Sequence, residues 1–287
     1  MIIDVHTHIF PPDIRNNRSR FFDGEPAFTR IYKDKKARMA GAIELINTMD
    51  EDEVDFSVTF GFPWLDEEKA KFHNDYILEA QDRFPNRLIG LASFNPLQDW
   101  AEREAERTLN AGLSGLGELA IYDRGFDEKT MKRLMALGSL CKARGLPLLI
   151  HVNEPIGHQY PGKAPMTVKM IYDLVLALHG VKLILAHWGG GLFFYGLLKR
   201  EVETALADVY FDTAASPFLY KPQVYGLASR IVGPEKILFG SDFPLIRPER
   251  YFKEMESADL DPNTKKLMKG ESAARALSGI PALRQIT

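Results

Sequence analysis

One cysteine, Cys141, stands among 287 residues. A lone thiol forms no internal disulfide and builds no Cys-rich zinc or iron–sulfur site, so the expected compartment is a reducing, cytoplasmic one. Its simplest reading is a small core residue on a helix face. Long hydrophobic runs are also missing: nothing approaches the roughly 18 consecutive apolar residues of a membrane span. Met1-Ile2-Ile3-Asp4 has neither the basic nor the long apolar region of an export signal. The expectation is a protein neither exported nor membrane-spanning. No basic block is present, and 36 Lys+Arg against 39 Asp+Glu leave a formal net charge of −3. That balance argues against nucleic acid as a partner. No Pro-, Gly- or Ser-rich linker divides the chain, so one domain over residues 1–287 is expected.

The hydrophobic share of 45% and charged share of 26% are those of a chain that buries a full core. Short apolar or β-branched runs recur: Ile2 to Val5, Val54 to Phe60, Leu88 to Phe94, Gly115 to Leu119, Pro147 to His151, Lys182 to His187, Val209 to Thr213 and Lys236 to Ser241. Their starts lie about 33 residues apart, the length of one strand–helix unit. Eight such units predict an α/β fold, the (β/α)8 TIM barrel. Between the runs, Asp99-x-x-Glu102 has the form of a capping box. Asp127 opens a helix whose Met131, Leu134, Met135 and Gly138 are expected to face the core. Ile9 to Met39 and Asn153 to Met166 are too long for ordinary connections. Both follow the C-terminal ends of strands, where a barrel builds its site, and are expected to act as lids.

In Asp4-Val5-His6-Thr7-His8 the two-residue strand period places Asp4, His6 and His8 on one face, so two imidazoles meet at the barrel mouth. Other strand tips carry the same residue types: Glu118, His151, His187 and Asp242. Four of the seven histidines thus stand at strand tips. His73, on an amphipathic helix, reads as packing or surface, and His179, before Gly180, as a helix C-terminal residue. His158 rides the second long loop and is a candidate for substrate contact. The period also turns Leu238, Gly240 and Asp242 toward the barrel axis, Gly240 leaving room beneath a metal or its water. The plainer reading of Asp242 is a helix cap. Glu118 reads either as a ligand or as a carboxylate that orients one, and Asp4 and Asp212 as residues behind the ligands. Histidine and carboxylate without thiolate suit Zn²⁺, Mn²⁺, Co²⁺ or Fe²⁺, and an incomplete protein ligand set describes a catalytic site.

These residues resemble those of the amidohydrolase superfamily, in the amidohydrolase 2 branch that includes aminocarboxymuconate-semialdehyde decarboxylase. The motifs that carry the resemblance are Asp4-Val5-His6-Thr7-His8, Asn74-Asp75-Tyr76-Ile77 with Pro85-Asn86-Arg87-Leu88, Leu149-Ile150-His151, Leu185-Ala186-His187-Trp188-Gly189-Gly190-Gly191, and Leu238-Phe239-Gly240-Ser241-Asp242-Phe243-Pro244. The resemblance implies that His6, His8, His151 and Asp242 bind one metal, and that His187 contacts the metal-bound water or the substrate. Binuclear members with a carbamylated lysine carry it on strand four, and Gly115 to Leu119 has no lysine. Gly117-Glu118-Leu119 looks instead like the strand-four Glu of TatD-type deoxyribonucleases, which bridges two metals, so a second ion stays open.

The expected function is therefore hydrolysis of a small, carboxylated substrate by a metal-activated water, with zinc as the first choice of ion. Asp242 acts as base and His187 stabilises the oxyanion or protonates the leaving group. The alternative is non-oxidative, metal-dependent decarboxylation of a small unsaturated or aromatic acid. A third reading is a catalytically silent ligand-sensing barrel. Arg247, with Arg250 beside it, is the candidate partner of a substrate carboxylate. Trp188 and Trp64 are candidates for an apolar wall, with plain packing as the alternative. A homodimer is left open.

Overall fold

Each of the eight apolar runs holds a strand or its start, β1 running three residues past its run: β1 (Ile3–His8), β2 (Phe56–Phe60), β3 (Leu88–Gly90), β4 (Leu116–Leu119), β5 (Leu148–Ile150), β6 (Leu183–Leu185), β7 (Val209–Asp212) and β8 (Ile237–Leu238). The computed structural model describes residues 1–283. Strands pair in parallel and in chain order, β1 to β3 in one ladder and β4 to β8 in another. Backbone bonds join the ladders on both sides. Past β3, Ser114 N–H donates to the Gly90 carbonyl (2.8 Å) and Ala92 N–H to that of Gly115 (3.0 Å). Past β8, Val5 N–H donates to the Phe239 carbonyl (2.8 Å) and Asp242 N–H to that of His6 (2.9 Å). The sheet returns on itself with helices between its strands, the α/β barrel that the spacing predicts.

The helices begin and end for local reasons. The Asp127 carboxylate accepts the Thr130 N–H at 2.8 Å and opens the helix Glu128–Arg144, which ends at Gly145 in the left-handed region (φ 66°). Leu134, Gly138 and Cys141 are buried on its inner face, as expected, but Met135 is 46% exposed. Asp99 and Glu102 form no capping box. The helix Ala101–Asn110 starts after Trp100 without a side-chain cap, because both carboxylates reach across to Arg133 of the next helix.

Strict alternation fails on β1. The register slips between Asp4 and Thr7. Ile3 and Val5 join Val58, Leu149, Ile184 and Leu238 in one apolar cluster. The bulge then turns His6 and His8 toward the site, and Asp4 instead accepts the backbone N–H groups of His6 (3.1 Å) and Ser241 (2.9 Å). Ala273, Leu277, Ile280 and Leu283 complete the same cluster, so the C-terminal turns close the barrel at the start of β1.

The two long loops lie over the other end. Residues 9–39 fold into the helices Pro12–Asn16 and Pro26–Tyr32, and Arg30 Nε donates to the Pro161 carbonyl (2.8 Å) of the second loop. Among the described residues no helix is long and apolar enough to cross a membrane.

Candidate active site

The strand ends bring His6, His8, Glu118, His151, His187 and Asp242 to one place under the two loops. His6 is fully buried. Its Nδ1 lies 2.8 Å from Asp212 Oδ2, while Nε2 is buried without a hydrogen-bond partner. That nitrogen stands 3.7 Å from Glu118 Oε1 and 3.7 Å from Asp242 Oδ1, too far for a hydrogen bond. His8 Nε2 lies 3.4 Å from Asp242 Oδ1 and 3.8 Å from Glu118 Oε2. His187 Nε2 is 3.5 Å and His151 Nδ1 3.0 Å from Glu118 Oε1. Ligand atoms about 2.1 Å from a common divalent ion lie about 3 to 3.5 Å from one another. The donors therefore fit a metal ion, and the orphaned His6 Nε2 points into the gap such an ion fills.

Electrostatics agree with that fit. Burial disfavours the His6 imidazolium, but the Asp212 and Glu118 carboxylates outweigh it and push its pKa up to about 10. His187 is likewise disfavoured as a cation by burial, yet its bond to Glu118 and the charge of Asp242 push it up to about 9. Against burial, which would raise them, the surrounding histidines hold Glu118 well below the usual carboxylate range and Asp242 down to about 2. Carboxylates held as anions and imidazoles drawn toward the charged form thus stand together, an environment that favours a divalent cation in place of protons. Asp4, farther back, is pushed up to about 7 by burial.

The local backbone is shaped for this arrangement. His187 (φ 53°), Ala215 (φ 56°) and Asp242 (φ 58°) all adopt the left-handed conformation that side chains resist, and all three line the cavity. Asp242 is thereby aimed into the cavity, and no side-chain helix cap involving it is formed. Gly240 does not leave open space beneath an ion. A Cβ there would meet the His6 Cβ at 2.8 Å, so the glycine is what lets His6 pack where it does.

Above the polar floor lies a cavity of ≈ 530 Å³. Tyr32, Phe62, Tyr122, Phe218 and Leu245 give it flat apolar walls, and His158, Tyr160 and Arg38 stand nearer its mouth. His158, on the second long loop, is among the residues that line the cavity. Arg247 is not. Its guanidinium is held by Glu51 (2.7 Å) and Asp52 (2.6 Å) on the outer surface, and Arg250 lies over the Phe218 ring. Trp188 is also displaced from its expected role. It is wholly buried beneath the cavity, donating to Ser216 Oγ (2.9 Å) and packed on Phe193 and Tyr225. Trp64 is packed in the same way against Phe28 and His73. Sequence reasoning missed Tyr32, at the end of the helix Pro26–Tyr32, and Phe62, Tyr122 and Arg38 on loops, positions where no period or motif marks an inward-facing side chain.

Comparison with known proteins follows the same lines. A 6-methylsalicylic acid decarboxylase of Penicillium expansum is 25% identical over 331 residues, covering 99% of this chain and 97% of that protein. The fold matches a 5-carboxyvanillate decarboxylase from Sphingomonas paucimobilis with TM-score 0.71 at 18% identity, over 96% of this chain and 98% of that one. It also matches a dihydroxybenzoic acid decarboxylase from Polaromonas sp., solved with manganese and the inhibitor 2-nitroresorcinol (TM-score 0.68, 15% identity, 96% of each chain). The family model described as Amidohydrolase (Amidohydro_2) matches residues 3–278. With the strand-tip histidines and carboxylates converging as they do, the chain belongs to the amidohydrolase family.

Proposed function

We propose that the protein is a metal-dependent carboxy-lyase that removes carbon dioxide, without oxidation, from a small aromatic acid. This reverses the order of the two chemistries expected from sequence. The observation that carries it is the end-to-end relationship to a 6-methylsalicylic acid decarboxylase, 99% of this chain against 97% of that one. The cavity supports it: aromatic walls suit a flat ring, and the polar groups are gathered at the floor where a carboxylate enters.

In this reading His6, His8, His151 and Asp242 would hold one divalent ion, with Glu118 beside them. Imidazole nitrogen and carboxylate oxygen suit manganese as well as zinc. When bound, the ion supplies positive charge that orients the acid and polarises its oxygens. The protein's own groups do the rest. Phe62 and Tyr122 stack 6.1 Å apart beside the cavity and seat the ring. Of the two floor carboxylates Asp242 is the more open to the cavity, 14% exposed against 3% for Glu118. Asp242 therefore relays a proton to the ring carbon, with His187, which also lines the cavity, as its source. The bond between ring carbon and carboxylate breaks, its electron pair stays on the carbon, the proton adds there, and carbon dioxide leaves. The two loops, joined by the Arg30–Pro161 bond, cover the site and limit the access of water to that carbon. The single cysteine is consistent with a cytoplasmic setting.

The test is turnover of hydroxybenzoates, 6-methylsalicylate first, by manganese- and zinc-loaded enzyme in D₂O. The expected result is carbon dioxide release with deuterium at the vacated ring carbon. Incorporation of ¹⁸O from labelled water into a new carboxylate or alcohol, with no carbon dioxide released, would restore the hydrolase reading.

A further inference from the structure

The loop after β5 is closed at its neck by two side-chain clasps. Asn153 and Ala164 exchange a pair of bonds: the Asn153 Oδ1 accepts the Ala164 N–H (2.8 Å) and its Nδ2 donates to the Ala164 carbonyl (3.1 Å). Next to them lies Lys163, whose side chain is only 4% exposed. A buried ammonium is costly unless all its protons are bonded. Here Lys163 Nζ donates to Glu154 Oε1 (3.0 Å), to the Ile156 carbonyl (2.6 Å) and to the His158 carbonyl (3.2 Å). The other oxygen of Glu154 accepts the Tyr160 hydroxyl at 3.0 Å, and the ammonium lies 5.6 Å from the Tyr160 ring centre. None of the reaction chemistry proposed above uses this network.

Its position gives it a purpose. Gly162, the residue before Lys163, offers its carbonyl to His151 Nε2 at 3.0 Å. A carbonyl only accepts, so Nε2 carries a hydrogen there, and Nδ1, 3.0 Å from Glu118 Oε1, is the nitrogen turned to the site and the one an ion would take in place of a proton. The loop backbone thereby selects the ring face that His151 presents.

We propose that Lys163, clasped to Glu154, is a positioning residue for the metal centre: it holds the loop so that the Gly162 carbonyl fixes the ring of His151 with Nδ1 toward the ion. The inference rests on the assignment of His151 as a ligand in the proposed function. Tyr160, Pro161 and Gly162 also line the cavity, so the same clasp sets the substrate wall and the ligand together.

The experiment measures Mn²⁺ affinity of metal-stripped full-length protein by chelator competition, in a cycle of wild type, Lys163→Met, His151→Ala and the double variant. Lys163→Met is expected to weaken Mn²⁺ binding about 10- to 100-fold, the usual effect of losing a group that orients a ligand. In the His151→Ala background it is expected to weaken binding no further, because it acts through that ring. Lys163→Arg, which keeps cation and donors, is expected to recover most of the affinity, and Glu154→Gln to lose part of it. Should Lys163→Met not fold, Glu154→Gln carries the same cycle. Wild-type affinity in the clasp variants, or an equal loss with and without His151, overturns the proposal. Unchanged affinity in His151→Ala alone overturns the ligand assignment beneath it. Failure to turn over aromatic acids, with the cycle intact, overturns only the carboxy-lyase reading.

Discussion

Asp212 couples His6 to His187. One carboxylate oxygen lies 2.8 Å from His6 Nδ1, and the other accepts the backbone N–H of His187 at 2.8 Å. It also accepts the Ala214 N–H at 3.0 Å, and the residue is wholly buried. A single carboxylate thus sets the ring of one strand-tip histidine and the backbone turn that aims the other. Asp212→Asn keeps the shape but loses the charge that holds the His6 proton on Nδ1. Mn²⁺ affinity by chelator competition is expected to fall about 10- to 100-fold, with unchanged far-ultraviolet circular dichroism. Wild-type affinity in this variant would remove Asp212 from the metal centre.

Asp242→Asn tests the proton path. The amide matches the carboxylate in size but neither carries nor relays a proton, so kcat is expected to drop about 10²-fold or more. Metal content, measured alongside by atomic emission, separates lost chemistry from lost ligation. Near-full kcat would rule out Asp242 as proton donor.

Arg38 and Arg247 are to be compared as a pair. Arg38 lines the cavity with no ion-pair partner among the described residues, whereas Arg247 is bound to Glu51 and Asp52. Arg38→Ala is expected to raise KM for an aromatic acid about tenfold, the loss of one charge-assisted contact. Arg247→Ala is expected to leave kcat/KM unchanged, because its guanidinium is held by Glu51 and Asp52 and does not line the cavity. A steady-state comparison in which Arg247→Ala has the larger effect on KM would reverse the assignment.

His73 gives the fold an acid-sensitive point. Its Nε2–H donates to the Ile9 carbonyl (2.7 Å), and its Nδ1 accepts from Trp64 Nε1 (3.0 Å). Both ring nitrogens are committed to the neutral form, and burial lowers the pKa to about 4 from an ordinary 6.5. Between those values the unfolded chain binds a proton that the native state does not. The stability this provides is complete above pH 6.5 and is lost as pH falls toward 4, about 3 kcal/mol in all. Urea unfolding of wild type and His73→Gln across pH 7 to 4 is expected to show the wild type losing that much more. Parallel pH profiles would show that His73 does not titrate in this window.

The barrel was legible in the sequence because each strand is a local event: a short apolar run, bounded by turn residues, repeated at strand–helix spacing. The strand-tip histidines and carboxylates could be read for the same reason, since a strand's end is where its pattern stops. Distances across the barrel could not. Asp212 meets His6 from 206 residues away, a contact that depends on closure of the whole ring. The bulge in β1 breaks the period from which Asp4, His6 and His8 were placed on one face. Trp188 follows the His187 tip directly, yet left-handed φ values at both residues turn its ring under the floor instead of into the cavity. Arg38 and Arg247 are alike as letters. Only the tertiary fold gives one an acidic pair on the outer surface and the other a place at the cavity, because the charges that decide it belong to segments distant in the chain.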